Sequence, residues 1–206
     1  MAKTRDTARD HVVTYVREAL LAGELNSCQH LVESELASKL GISRTPVREA
    51  FARLEELGIV TRTPYKGCRI NDFNPRQLSD IYDIRRVLEP VAAEKAAPHI
   101  EEDDIVKLED IHRRMKECID DVDRYHALDT EFHLELYRKC GNNELCKLIN
   151  ELRFKIGFLQ HTRWYYRAIR VDSIKQHRAM IKALKNGSGD IACLVRQHID
   201  YAKRGE

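Results

Sequence analysis

No run of apolar residues in this 206-residue chain is long enough to cross a bilayer as a helix, so no membrane span is expected. The N-terminus, Met1-Ala2-Lys3-Thr4-Arg5-Asp6, lacks the apolar core of a secretory signal, and a cytoplasmic location is expected. None of the six cysteines (Cys28, Cys68, Cys118, Cys140, Cys146, Cys193) forms a Cys-x-x-Cys pair. Reduced thiols used for packing are expected. A redox switch through Cys140 and Cys146 is the lesser alternative, since nothing nearby points to a lowered thiol pKa. Net charge is small too, at +2, which excludes coating nucleic acid by bulk charge. Any DNA contact has to come from a local patch. There are no internal repeats or low-complexity segments, and after Asn71-Asp72-Phe73-Asn74-Pro75 there is no strand pattern.

A patch does exist. In Ser43-Arg44-Thr45-Pro46-Val47-Arg48-Glu49-Ala50-Phe51-Ala52-Arg53-Leu54, Pro46 suits the first turn of a helix and Thr45 before it suits an N-cap. Val47, Ala50, Phe51 and Leu54 fall at i, i+3, i+4 and i+7, one buried stripe. Arg44 and Arg48 lie off that stripe at the N-terminal end, where a helix in the major groove presents side chains to base edges. Taken singly, each could be ordinary solvated charge. Upstream, Val32, Leu36, Ala37 and Leu40 make a short helix that stops at Gly41, so the layout is helix, turn, helix. Gly58 ends the second helix. Residues 59–62 and 68–70 read as two strands around Pro64-Tyr65-Lys66-Gly67, a basic hairpin or wing, and Val12, Val13, Val16 and Leu20 mark a further helix. Arg53 is a weaker DNA candidate because Glu49 or Glu56 can pair with it.

Residues 8–70 resemble the DNA-binding domain of the GntR family of bacterial transcription regulators. The matching words are Glu33-Ser34-Glu35-Leu36-Ala37, Ser43 to Ala50, Leu54 to Val60, and Lys66-Gly67. The resemblance implies DNA contacts from Arg44, Thr45, Arg48 and Gly67; Arg53 and Lys66 join them as candidates from the basic patch. Some members carry an arginine contact in the preceding helix, where this chain has Ser34.

The predicted organisation is mainly α: a winged helix-turn-helix over 1–71, a linker at 72–75, and an all-α bundle of about six helices over 76–206. Helical stripes begin at Leu78, Ile105, Tyr125, Leu145 and Ala168, and Asp190 is expected to cap a sixth helix. Asp129 and His133, four apart, project from one helical face, with His177 and His198 on the fifth and sixth helices. Three imidazoles and a carboxylate suit a divalent transition metal, zinc first, with nickel, manganese or iron as alternatives. Spacing alone does not separate this reading from ordinary packed histidines. Glu109-x-x-His112 lacks the second copy that a di-iron bundle needs and is expected at the surface. The cluster Trp164-Tyr165-Tyr166 reads as packing or a dimer contact.

Residues 76–203 resemble the helical effector (FCD) domain of the FadR-type branch of that family. The words are Arg85-Arg86-Val87-Leu88-Glu89, Asp129-Thr130-Glu131-Phe132-His133-Leu134, Gly141-Asn142-Asn143, Ser173 to His177, Gly189-Asp190 and Gln197-His198-Ile199. The resemblance implies that Asp129, His133, His177 and His198 hold the ion. Gln176 departs from the glutamate that many members carry, and six helices fit the shorter VanR-like subgroup. Arg85 matches a position that can face the effector, where a guanidinium would hold a carboxylate; a salt bridge to Glu89 is the equal alternative. Arg153 is a second candidate of that kind. The expected function is a metabolite-responsive repressor, a homodimer on a pseudo-palindromic DNA operator, binding a metal and a small organic acid. Direct metal sensing is the rival. A metal-dependent hydrolase is a weaker one, since no further general base is evident and a winged helix would then have no purpose.

Overall fold

The capping box that opens the first helix had no reading in the sequence. Thr7 Oγ1 accepts from the Asp10 N–H and the Asp10 carboxylate accepts from the Thr7 N–H, both at 3.2 Å. In the computed structural model, residues 7–63, 67–72, 75–159, 167–187 and 190–203 are described. The chain divides into two units, residues 1–74 and 75–206.

The first unit contains α1 (Ala8–Leu21), β1 (His30–Leu31), α2 (Glu33–Leu40), α3 (Arg44–Glu56), β2 (Val60–Thr63) and β3 (Gly67–Ile70). Gly41, at φ +65°, caps α2 in the left-handed conformation and turns the chain toward α3. Thr45 is not the cap of α3. That place falls to Ser43, and Arg44 is already helical. The first turn has no intrahelical acceptors for its N–H groups, so Pro46 is tolerated anywhere in it and does not pin the helix start. Val47, Ala50, Phe51 and Leu54 are wholly buried, as are Val12 and Val16 of α1, and α1 packs on α3. The sheet order is β1-β3-β2, antiparallel throughout. Strand β1 is two residues long, too short to show a period of two, so the hairpin alone was legible. Pro64, Tyr65 and Lys66 lie outside the described residues.

The second unit is helical: α4 (Pro75–Ala96), a 3-10 turn at Ala97–His99, α5 (Glu102–Glu117), α6 (Val122–Tyr137), α7 (Asn143–Leu159), α8 (Arg167–Lys185) and α9 (Ile191–Lys203). Helix α4 begins at Pro75, the last residue of the expected linker, where proline suits a first position. It runs on through Pro90, which can donate no bond to the turn before it. The inward faces of α5 (Ile105, Leu108, Ile111, Met115) and α6 (Tyr125, Leu128, Phe132, Leu136) meet Ala92, Ala93 and Ala96 of α4 in one core. His112 is half-buried rather than at the surface, because its Nε2 bonds the Ile174 carbonyl at 3.0 Å and ties α5 to α8. Asp104 is a buried anchor at the start of α5. Its carboxylate accepts from the Glu101 N–H and pairs with Lys139 and Arg138, both at 2.6 Å. All six cysteines are free thiols, with Cys140 and Cys146 Sγ atoms 3.3 Å apart. Trp164, Tyr165 and Tyr166 lie outside the described residues.

Candidate functional site

Two polar residues interrupt the buried stripe of α6. Asp129 and His133 occupy positions that periodicity assigns to the core, and each is at most 3% exposed. Burying unpaired polar groups is costly, so they need partners. Helices α8 and α9 supply His177 and His198, equally buried, and the four ligand atoms lie within 4.8 Å of one another. His133 Nε2 is 3.2 Å from His198 Nε2 and 3.1 Å from His177 Nε2. Asp129 Oδ1 lies 3.5 Å from His177 Nε2.

The surrounding hydrogen bonds fix two of the rings. Tyr137 donates its hydroxyl proton to Glu89 Oε2 (2.8 Å), so its oxygen accepts from His133 Nδ1 (3.1 Å). The Gln176 side-chain oxygen accepts from His198 Nδ1 (2.6 Å). Both rings then carry their proton on Nδ1 and turn bare Nε2 lone pairs toward each other. Lone pairs at that distance repel unless a cation lies between them. Asp129 Oδ1 and His177 Nδ1 have no hydrogen-bond partner among the described residues. Burial, with the nearby Arg153 charge, holds His133 and His177 well below the usual histidine pKa, and burial with His177 pushes His198 down to about 3. The rings are therefore neutral at neutral pH and ready to donate. The donor set fits a divalent transition metal.

A second layer of charge surrounds this cluster. Arg153 Nη2 donates to Asp129 Oδ2 (2.7 Å), and its Nη1 reaches Glu89 Oε2 (3.1 Å). Arg85 Nε donates to the other Glu89 oxygen at 2.6 Å. Burial alone would raise the Glu89 carboxyl; Arg85 and Arg153 outweigh it and hold the group down to about 2. Both arginines expected to meet an effector are thus paired internally. A cavity of about 10 Å³ between them, lined by Tyr82, Asp129, Thr130 and His198 among others, has room for one water-sized group. Sequence reasoning named Glu89 only as a partner for Arg85 and missed Tyr137. The spacing of Tyr137, one turn after His133, was the available signal.

In the first unit, Arg44, Thr45 and Arg48 are all exposed at the start of α3. Glu33, at the start of α2, takes both arginines: Arg48 through Nε (3.4 Å) and Nη2 (3.2 Å), Arg44 through Nη2 (3.4 Å). Arg53 pairs with Glu56 at 3.2 Å, near the far end of α3. Lys66 is outside the described residues. Gly67 opens β3 at φ +85°, and a Cβ there would lie 2.2 Å from the Leu31 carbonyl oxygen. The wing strand therefore needs glycine to come against the backbone that leads into Glu33.

Comparison with known proteins agrees with both units. A family model described as "FCD domain" matches residues 80–201, and one described as "Bacterial regulatory proteins, gntR family" matches residues 8–70. The chain is 31% identical to the Nta operon transcriptional regulator of Aminobacter aminovorans over 83% of its length and 81% of that protein. It is 26% identical to the HTH-type transcriptional repressor RspR of Escherichia coli (strain K12), over 82% of this chain and 75% of that one. The solved structure of McbR/YncC from E. coli has the same fold, with a TM-score of 0.79 and 22% identity over 97% of this chain and 99% of that chain. No helix among the described residues is long and apolar enough to cross a membrane. The chain belongs to the GntR family of bacterial regulatory proteins, and it is a DNA-binding transcription regulator in which the helix-turn-helix unit is followed by an FCD domain.

Proposed function

We propose that this regulator is a homodimeric repressor whose helical unit holds one divalent transition metal on Asp129, His133, His177 and His198 and responds to a small organic acid. The observation that carries the metal is the pair of inward lone pairs on His133 and His198, fixed by Tyr137 and Gln176. Zinc suits three imidazoles and one carboxylate best, and nickel, manganese and iron accept the same donors. When bound, the ion supplies a positive centre to which a carboxylate can coordinate. Arg85 and Arg153 then hold and orient that carboxylate. Glu89 already occupies them, so an effector has to exchange with Glu89 for the two guanidinium groups. The repressor sign is supported by the printed name of RspR.

DNA recognition is assigned to Arg44, Thr45 and Arg48 with the wing residues Lys66 and Gly67. Arg53 is a minor contributor because of its pair with Glu56. Two recognition helices in a dimer would read a pseudo-palindromic operator. A second reading, in which the metal itself is the signal, draws on the small cavity: about 10 Å³ admits an ion or a water and not an organic acid without movement.

The test is metal analysis of protein purified without chelator. One ion per chain is expected in the wild type and none in His177→Ala/His198→Ala. Equal substoichiometric metal in both would make the four residues ordinary packing. A thermal-shift screen of small carboxylates, with and without metal, then separates the readings. A carboxylate that raises the melting temperature only in the presence of metal supports the effector reading. DNA affinity that follows free metal with no carboxylate present supports the sensor.

A further inference from the structure

The carboxylate of Glu33 is at first sight out of place. It sits at the DNA-facing end of α3, where a negative charge repels phosphate. It is mostly covered, at 18% side-chain exposure, while Arg44 and Arg48 around it are 62% and 60% exposed. Exposed ion pairs add little to stability, so fold stability alone gives weak reason for three converging donor nitrogens. The Arg48 hydrogen bond is the largest influence on Glu33 and holds its carboxyl below the usual range.

The geometry of the bonds is more informative. Arg48 meets Glu33 with Nε and Nη2, the side edge of the guanidinium. Among the described residues the end edge, Nη1 with the second Nη2 proton, is left as two parallel donors. That edge matches the O6 and N7 acceptors of guanine. A free arginine side chain has many rotamers and loses that freedom when it binds. Arg48 is also held from behind, because Arg62 donates to its backbone carbonyl at 2.9 Å. Glu33 itself follows Leu31 and Val32, the backbone against which Gly67 of the wing packs. Its position is therefore set by two elements and not by side-chain chance.

We propose that Glu33 is a positioning residue for DNA recognition: it fixes the Arg48 guanidinium edge-on for a guanine contact and, through one bond, steadies Arg44. This rests on the reading of Arg48 as a base contact. In this role Glu33 gives up some general attraction to DNA in exchange for discrimination between sequences.

The experiment uses full-length protein and two fluorescent duplexes. One is enriched from a randomised pool by the wild type, and the other is its scrambled counterpart. Anisotropy titrations give the ratio of the two affinities. Glu33→Ala is expected to lower that ratio about tenfold, the scale of one well-placed bidentate contact. Affinity for the scrambled duplex should rise, because a negative charge leaves the face. Glu33→Gln keeps an acceptor oxygen without the charge and should retain more of the ratio. In an Arg48→Ala background, Glu33→Ala should leave the ratio unchanged. Equal gains on both duplexes would reduce Glu33 to a repelling charge and overturn the proposal. So would a ratio change that persists without Arg48, or a proportional loss on both duplexes with a lowered melting temperature. If Arg48→Ala lowers the ratio and Glu33→Ala does not, only the proposal fails. If Arg48→Ala leaves the ratio unchanged, the reading of Arg48 has failed first.

Discussion

A missing Cβ decides the geometry of the wing. Gly67 combines a left-handed φ with a backbone contact that no side chain fits. Gly67→Ala is expected to destabilise the first unit by about 1–3 kcal/mol, read as a lower midpoint in urea. Asp104 makes a different kind of single-residue claim. Burial would raise its carboxyl, but Lys139, the Glu101 N–H and Arg138 bring it from 3.8 to about 2. A carboxyl depressed in the folded state stabilises the fold fully above its unfolded pKa. That stabilisation is lost as pH falls from about 4 toward 2, a loss of about 2 kcal/mol. Asp104→Asn should cost about the same at pH 7 and converge with the wild type near pH 2; urea melts across that window check it. At the DNA face, Arg48→Ala is expected to weaken operator binding by about 1–3 kcal/mol and random-duplex binding much less. Asp129 and His133 share a helical face by their spacing, but only the resemblance to the FCD domain singles out all four candidate ligands. The role of Glu33 was not legible, because only the folded chain brings Arg44 and Arg48 to it. Tyr137 was signalled by its spacing from His133 and missed, and the Ser43 start of α3 was hidden because Pro46 fits any place in the first turn.

Helix α4 has two opposed faces. Its inner side carries Arg85 and Glu89, both buried. Its outer side exposes Ile84, Val87 and Val91, at i, i+3 and i+7, with Val87 64% exposed. An apolar stripe of that kind is unusual on a monomer's surface and suits a second copy of the chain. Val87→Arg is expected to shift the protein from dimer to monomer in sedimentation at micromolar concentration while helicity is unchanged. A dimer that survives with unaltered affinity would remove α4 from the interface. Among elements, the long helices were legible because their apolar period repeats over four or more turns. Helix α4 kept that period through Pro90, and α8 ended where Asn186 and Gly187 interrupted it. Strand β1 gave two residues and no period, so its pairing with β3 depends on Gly67 and could not be read in advance.

For the whole molecule, the expectations converge on the second unit as a stability-coupled site. A chelator should lower the melting temperature of the wild type and leave His177→Ala/His198→Ala unmoved, since binding to the folded state alone stabilises it by mass action. An unchanged wild-type melt on chelation would remove the metal from the account. The enclosure of the four donors also bears on time. Asp129, His133, His177 and His198 are each no more than 3% exposed, and the cavity beside them is about 10 Å³. The four side chains are almost wholly covered by protein, so exchange of an ion held there is expected to wait on a local opening of α6, α8 or α9. Opening a packed core helix costs more than fraying a terminus or a loop. Exchange would then run on a slower clock than the binding and release of DNA. A regulator built this way would keep its metal through many cycles on its operator.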